Sequence, residues 1–211
     1  MKTGFRKYVL LGLIMVWAIP AVTAQVTFGV KAGLARSSMI QKIDLDHESG
    51  SQLGFSVAGL ADIPFYRRFS FRPEIAFTKQ GGHFFSDYNE DKLPGLKHTC
   101  NYYSLQTPLN IAFNIPISGV RMAVYGGLVP DFRLWGKMKT LAINGESRPQ
   151  TEKNMKSFDL GCNAGISVEY KKVFFAIDIY NGILDCRVDK KESESRVYHN
   201  NISFSLGYFF R

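Results

Sequence analysis

Beyond residue 24 the chain has no apolar run approaching the roughly 18 residues that a membrane-crossing helix needs. Sustained helical periodicity is missing as well. The three cysteines, Cys100, Cys162 and Cys186, form no CxxC pair, which argues against a thiol redox site or a structural zinc site. In an oxidising compartment Cys100 and Cys186 are one conceivable pair, with Cys162 left over, and the sequence leaves that pairing open. No Lys/Arg run of the nucleic-acid type occurs, so no nucleic-acid partner is expected. No serine–histidine–acid or paired-carboxylate arrangement can be singled out. The expectation is therefore a non-enzyme, with no catalytic residue, no cofactor and no metal site.

The first 24 residues have the layout of a secretory signal. Lys2, Arg6 and Lys7 precede an apolar run from Tyr8 to Ile19. Pro20 then breaks the segment, and Val22 and Ala24 supply small residues before a cleavage point. The run of about a dozen residues is short for a spanning helix. Cleavage after Ala24 is expected, leaving residues 25–211 as one domain outside the cytoplasm. The three basic residues of the leader leave 23 basic against 18 acidic residues, a net charge of +5, which says little about partners.

Apolar and small or polar residues alternate with a period of two, the pattern of a strand with unlike faces. In QVTFGVKAGL, Val26, Phe28, Val30, Ala32 and Leu34 share a face, with Thr27, Gly29, Lys31 and Gly33 behind them. Seven further runs repeat this, centred on Leu53–Val57, Phe69–Phe77, Tyr103–Phe113, Val120–Val124, Phe158–Val168, Val173–Ile179 and Ile202–Phe210. Short connections (IPFYRR, PISG, Lys171-Lys172) alternate with long polar ones at about 36–52, 80–99, 136–156 and 185–200. Eight strands with tight turns at one end and long loops at the other predict an all-β, eight-stranded antiparallel up-and-down transmembrane β-barrel in the outer membrane.

A soluble lipocalin-like carrier is also an eight-stranded meander, with its apolar face turned inward. The composition of the second face decides against it. Gly, Ala, Ser, Thr and Asn dominate there, rather than the long Lys and Glu of a water-facing surface. Small residues suit the narrow interior of an eight-stranded barrel. Outer-membrane lipid is then the partner of the apolar face, with Phe69, Tyr170, Tyr208 and Phe210 near strand ends, where aromatic girdles lie, and Phe132, Leu134 and Trp135 marking the outer interface.

The charges on the inner face are Lys31, Arg72, Glu74, Arg121, Asp159, Glu169 and Asp178, with Asp62 and Arg211 as further candidates. Both signs are present, as an ion-pair network filling the lumen requires, since a lone buried charge costs several kcal/mol. Arg121 is positioned to pair with Glu169, and Arg72 with Asp62 or Glu74. The competing reading is a passage for small solutes or a ligand-binding barrel. His47, His83, His98 and His199 fall in or beside the expected loops. Asp131, His98 and His199 are the only raw material for catalysis at the outer rim. In the expected loop GGHFFSDYNEDKLPGLKH, Phe84, Phe85 and Tyr88 are candidate recognition residues for a protein partner.

Six segments together resemble the PorT-like outer-membrane β-barrel proteins of the Bacteroidetes. They are FGVKAGL, ADIPFYRRFSFRPEIAFTKQGG, LQTPLNIAFNI, VYGGLVPDF, GCNAGISVEYKKVFFAIDIYNGI and the closing FSLGYFF. The resemblance covers nearly all of residues 25–211. It implies an eight-stranded outer-membrane barrel whose loops serve binding, adhesion or a secretion or envelope complex, and it implies no single activity. The final strand also resembles the C-terminal signal read by the barrel assembly machinery, with the departure that Phe210 is followed by Arg211.

Overall fold

A computed structural model of the chain describes residues 26–42, 50–88, 94–142, 150–152, 156–184 and 196–211. The expected signal segment, His47 and Cys186 lie outside them.

Ten antiparallel strands form one sheet closed on itself: β1 (Thr27–Lys42), β2 (Gly50–Tyr66), β3 (Phe69–Tyr88), β4 (Pro94–Gln106), β5 (Leu109–Ile117), β6 (Val120–Ala142), β7 (Gln150–Glu152), β8 (Phe158–Tyr170), β9 (Val173–Gly182) and β10 (Arg196–Phe210). They make eight staves. β4 and β5 are one stave interrupted at Thr107-Pro108, because both pair with β3 on one side and β6 on the other. Pro108 has no N–H to donate to a ladder, and its carbonyl instead accepts the Glu74 amide at 2.9 Å. β7 and β8 likewise share one flank of β6. Closure is made by β1 and β10, in register from Phe28↔Phe210 to Lys42↔Arg196.

The side chains are sorted as in a barrel surrounded by hydrocarbon. Phe28, Leu53, Ile75, Leu206 and Phe210 are each about 60% exposed or more on the outer wall. Arg72, Glu74, Asn110, Asp131 and Asp159 are buried inside. A lipocalin-like carrier would need the reverse, so that alternative fails on the direction of the pleat. A belt of large apolar side chains in water would be far larger than any patch a soluble monomer shows. In lipid it is stable, and closure leaves no sheet edge unsatisfied.

The staves are longer than the membrane demands. About nine to eleven tilted residues suffice to cross, whereas β3 has 20 and β6 has 23. All the excess is at the end opposite the tight turns Arg67-Arg68, Ser118-Gly119 and Lys171-Lys172. The described parts of the stretches expected as long loops at 36–52, 80–99 and 136–156 are therefore almost all strand. Phe84, Phe85 and Tyr88 lie on the backbone of β3, opposite His98, Lys97 and Pro94 of β4, rather than in a loop. Their side chains fall outside the described part of the structure. The expectation failed because a strand rising clear of the bilayer has two polar faces and loses the alternation that marks it.

Candidate functional site: the lumen

Every inward position of the eight staves contributes to one polar interior, and its charges fall into three layers. The layer nearest the tight turns is built around the Phe209 ring from β10, which stacks on Phe174 of β9 with centroids 4.6 Å apart. The guanidinium groups of Arg72, Arg121 and Arg211 lie 5.8, 5.4 and 5.3 Å from the Phe209 centroid, each within cation–π range. Asp62 Oδ2 receives Arg72 Nη2 at 3.5 Å and Arg121 Nη1 at 3.1 Å. Glu169 binds Arg121 Nη2 at 2.6 Å and Arg211 Nη2 at 3.0 Å. Three cations and two carboxylates from five staves thus meet across the bore.

One layer further in, Lys31 Nζ bridges Glu74 at 2.8 Å and Asp178 at 3.1 Å. Asp178 also accepts the Tyr125 hydroxyl at 2.8 Å. Above it a cavity of about 40 Å³ is lined by Lys31, Glu74, Thr78, Gln106, Asp178 and Tyr180 among others. That is room for a few water molecules, not for an organic solute.

The third layer lies towards the long staves. Arg133 Nη2 pairs with Asp159 at 3.0 Å, while Nη1 donates to the Lys156 carbonyl at 2.9 Å, and the guanidinium sits 5.0 Å from the Tyr102 ring centroid. Gln106 donates to Asp131 at 3.1 Å. Ser104 and Thr78 share a 2.8 Å hydrogen bond, and Gln80 donates to both hydroxyls.

All seven inner-face charges named from the sequence point into the bore, and six of them join into two clusters. Asp159 stands apart from these with Arg133, which the sequence reading did not single out. The inward aromatics Tyr102, Tyr125, Phe174 and Tyr180 were also missed. Phe174-Phe175 and Phe209-Phe210 are consecutive aromatics, one inside and one outside, and only the parity of the flanking residues separates them. Small residues on neighbouring staves were the available signal. Gly165, between Tyr125 and Asp178 in the register, leaves the space that Tyr125 crosses, and Gly207, opposite Phe174, leaves room for its ring.

The histidines are placed differently from expectation. His199 is fully buried in the bore, 3.2 Å from Ser37 Oγ and in ring contact with Tyr102 and Tyr180. His98 Nδ1 lies 2.9 Å from Thr140 Oγ1. Asp131 is held by Gln106, so the three residues considered as catalytic material occupy separate contacts. Among the described residues no cluster of His, Cys, Asp and Glu has the makings of a metal site.

Residues 22–186 match the family model described as outer membrane protein beta-barrel domain. Among curated protein sequences nothing matches the chain. Several solved structures are similar in fold. A major outer membrane protein from Thermus thermophilus has a TM-score of 0.52 at 13% identity, covering 88% of this chain and 99% of that one. The outer membrane protein OprG from Pseudomonas aeruginosa gives 0.49 at 10% identity, over 89% and 97% of the two chains. Ail, the attachment invasion locus protein of Yersinia pestis, solved with the heparin analogue sucrose octasulfate, gives 0.45 at 16% identity, over 88% and 99%.

Proposed function

The chain belongs to the outer membrane protein beta-barrel domain family, and from that premise we propose a non-enzymatic wall protein whose bore is closed by its own side chains. The observation that carries this reading is the layer around Phe209. Arg72, Arg121, Arg211, Asp62 and Glu169 span the bore from five staves, with Phe209 and Phe174 filling its centre. Among the described residues five inward cations (Lys31, Arg72, Arg121, Arg133, Arg211) face six inward carboxylates (Asp62, Glu74, Asp131, Asp159, Glu169, Asp178), so the plug they form is nearly neutral. Removing any one member strands a partner in a low-dielectric space, which makes the plug resistant to opening.

On this reading the rigid cylinder exists to hold its long outer end away from the bilayer. That end, including Phe84, Phe85 and Tyr88, is the recognition surface for an adhesion, secretion or envelope-complex partner. Such a role fits the PorT-like resemblance. Export as a precursor cleaved after Ala24, and insertion by the barrel assembly machinery reading the β10 terminus, belong to the same proposal.

The test is conductance in planar bilayers. The closed-bore reading expects no steady unitary current for the wild type, and current in a variant with the layer dismantled (R72A/R121A/F209A). A stable ohmic current in the wild type sinks it. That result would favour the second reading, small-solute passage, for which the 40 Å³ cavity above Lys31 is the supporting observation.

A further inference from the structure

On the outer wall, β3, β4 and β6 carry an aromatic cluster topped by lysines. Phe77, Tyr103 and Trp135 are in mutual contact, with centroid separations of 5.8 Å (Phe77–Tyr103), 5.2 Å (Tyr103–Trp135) and 5.9 Å (Phe77–Trp135). The next outward positions towards the long end are Lys79 on β3 and Lys137, then Lys139, on β6. Lys79 stands opposite Tyr103, Lys137 opposite Asn101 and Lys139 opposite Thr99.

A β-bulge creates this arrangement. Tyr103 faces Trp135 while the adjacent Ser104 faces Arg133, leaving Leu134 as the extra residue of β6. Without that insertion Trp135, Lys137 and Lys139 would follow the parity of Asp131 and Arg133 into the bore. With it, Arg133 stays inside and the cationic residues beyond turn outward. A bulge that re-aims side chains in this way is a built feature of a strand.

Lys137 and Lys139 are exposed and Lys79 is half-buried. Among the described residues none of the three has an ion-pair partner, and β3, β4 and β6 point no carboxylate outward at this level. Below the trio the wall is apolar (Ile75, Leu105, Phe132), so it lies where the hydrocarbon ends. Tyr and Trp mark that boundary, and unpaired cations just beyond it sit at the level of lipid headgroups.

We propose that Lys79, Lys137 and Lys139, above the Phe77–Tyr103–Trp135 platform, form a binding site for a phosphate-bearing glycolipid of the outer leaflet. The lysines clasp the headgroup phosphates, the aromatic rings support the headgroup, and the acyl chains run down the apolar wall. This site rests on the outer-membrane placement and is independent of whether the bore conducts.

The test uses the protein recovered from outer membranes in detergent, with diphosphoryl lipid A as probe and the amount retained per barrel after gel filtration as readout. Wild type is expected to retain the lipid, K79Q/K137Q/K139Q to retain at least tenfold less, and K79R/K137R/K139R to stay near wild type. All three must keep the heat-dependent gel mobility of a folded barrel, and because the lysines are outside the wall the arginine variant guards against misfolding. The dephosphorylated lipid is expected not to be retained, and millimolar inorganic phosphate not to displace the intact one. Equal retention by the glutamine variant, equal retention of dephosphorylated lipid, or ready displacement by inorganic phosphate would each overturn the proposal.

Discussion

Tyr125 on β6 reaches over β8 to give its hydroxyl hydrogen to Asp178 on β9, at 2.8 Å. The intervening position in the register is Gly165, paired with Tyr125 on one side and Asp178 on the other. A Cβ on Gly165 would come within about 2.5 Å of the Tyr125 ring. Gly165→Ala therefore forces Tyr125 off Asp178. Overpacking of this kind costs roughly 1–3 kcal/mol. Urea unfolding of the barrel in detergent, followed by gel mobility, should show the midpoint lowered, with no relief in G165A/Y125F, because phenylalanine keeps the two ring carbons that the added Cβ would meet. An unchanged midpoint for G165A would mean that the interior is looser than this packing implies.

Lys31 is the only described cation in contact with both Glu74 and Asp178. Replacing it with methionine keeps much of the stem and removes the charge, leaving two carboxylates facing each other in the bore. Breaking a buried pair from one side costs about 3–5 kcal/mol. K31M is thus expected to be strongly destabilised at neutral pH. The triple variant K31M/E74Q/D178N, with no charge left in that layer, should recover most of the loss. Equal stability for the single and triple variants would show that the layer is wet enough to screen its charges.

Much of the barrel was legible in the alternation, because hydrocarbon outside and a tight polar bore inside impose opposite demands on successive residues. Phe204, Leu206, Tyr208 and Phe210 against Ser203, Ser205 and Gly207 can be read directly as two faces. Three features resisted reading. The strand extensions past Lys79 and Lys137 have water on the outside and polar residues within, so the contrast disappears. The bulge at Leu134 shifts parity by one, hiding the outward direction of Lys137 and Lys139. His199 lies in RVYHNN, which reads as a loop, yet it belongs to the paired part of β10 opposite Met39. Its burial follows from closure against β1, a contact between the two ends of the chain that no local pattern encodes.

The apolar face offers a direct chemical check through Cys162, which is exposed on β8 between the outward Leu160 and Ala164. With Cys100 and Cys186 changed to serine, Cys162 should resist a charged, membrane-impermeant maleimide in proteoliposomes and react with an apolar one. After denaturation in SDS both should label it fully. Rapid labelling by the charged reagent in intact membranes would place that position in water and contradict the direction of the pleat.

The two ends of the chain meet at Phe28↔Phe210, with Phe209 turned inward and Phe210 outward. The two aromatics therefore have separable roles. Phe210→Ala removes an apolar side chain from the lipid face at the terminus that the assembly machinery is proposed to read, while the ion pairs around Phe209 stay intact. The expected result is a severalfold fall in the amount reaching the outer membrane, with the part that does insert keeping near-normal unfolding. Phe209→Ala removes the ring on which Arg72, Arg121 and Arg211 converge and opens a cavity beside Phe174. Truncation of a buried phenylalanine costs about 3–5 kcal/mol, so its signature is a low unfolding midpoint in whatever is inserted. Quantitative blotting of membrane fractions, with urea unfolding of the recovered barrels, separates the two effects. If both variants lost yield and stability in the same proportion, the last two residues of β10 would act through packing alone, and the assembly-signal reading of the terminus would fall.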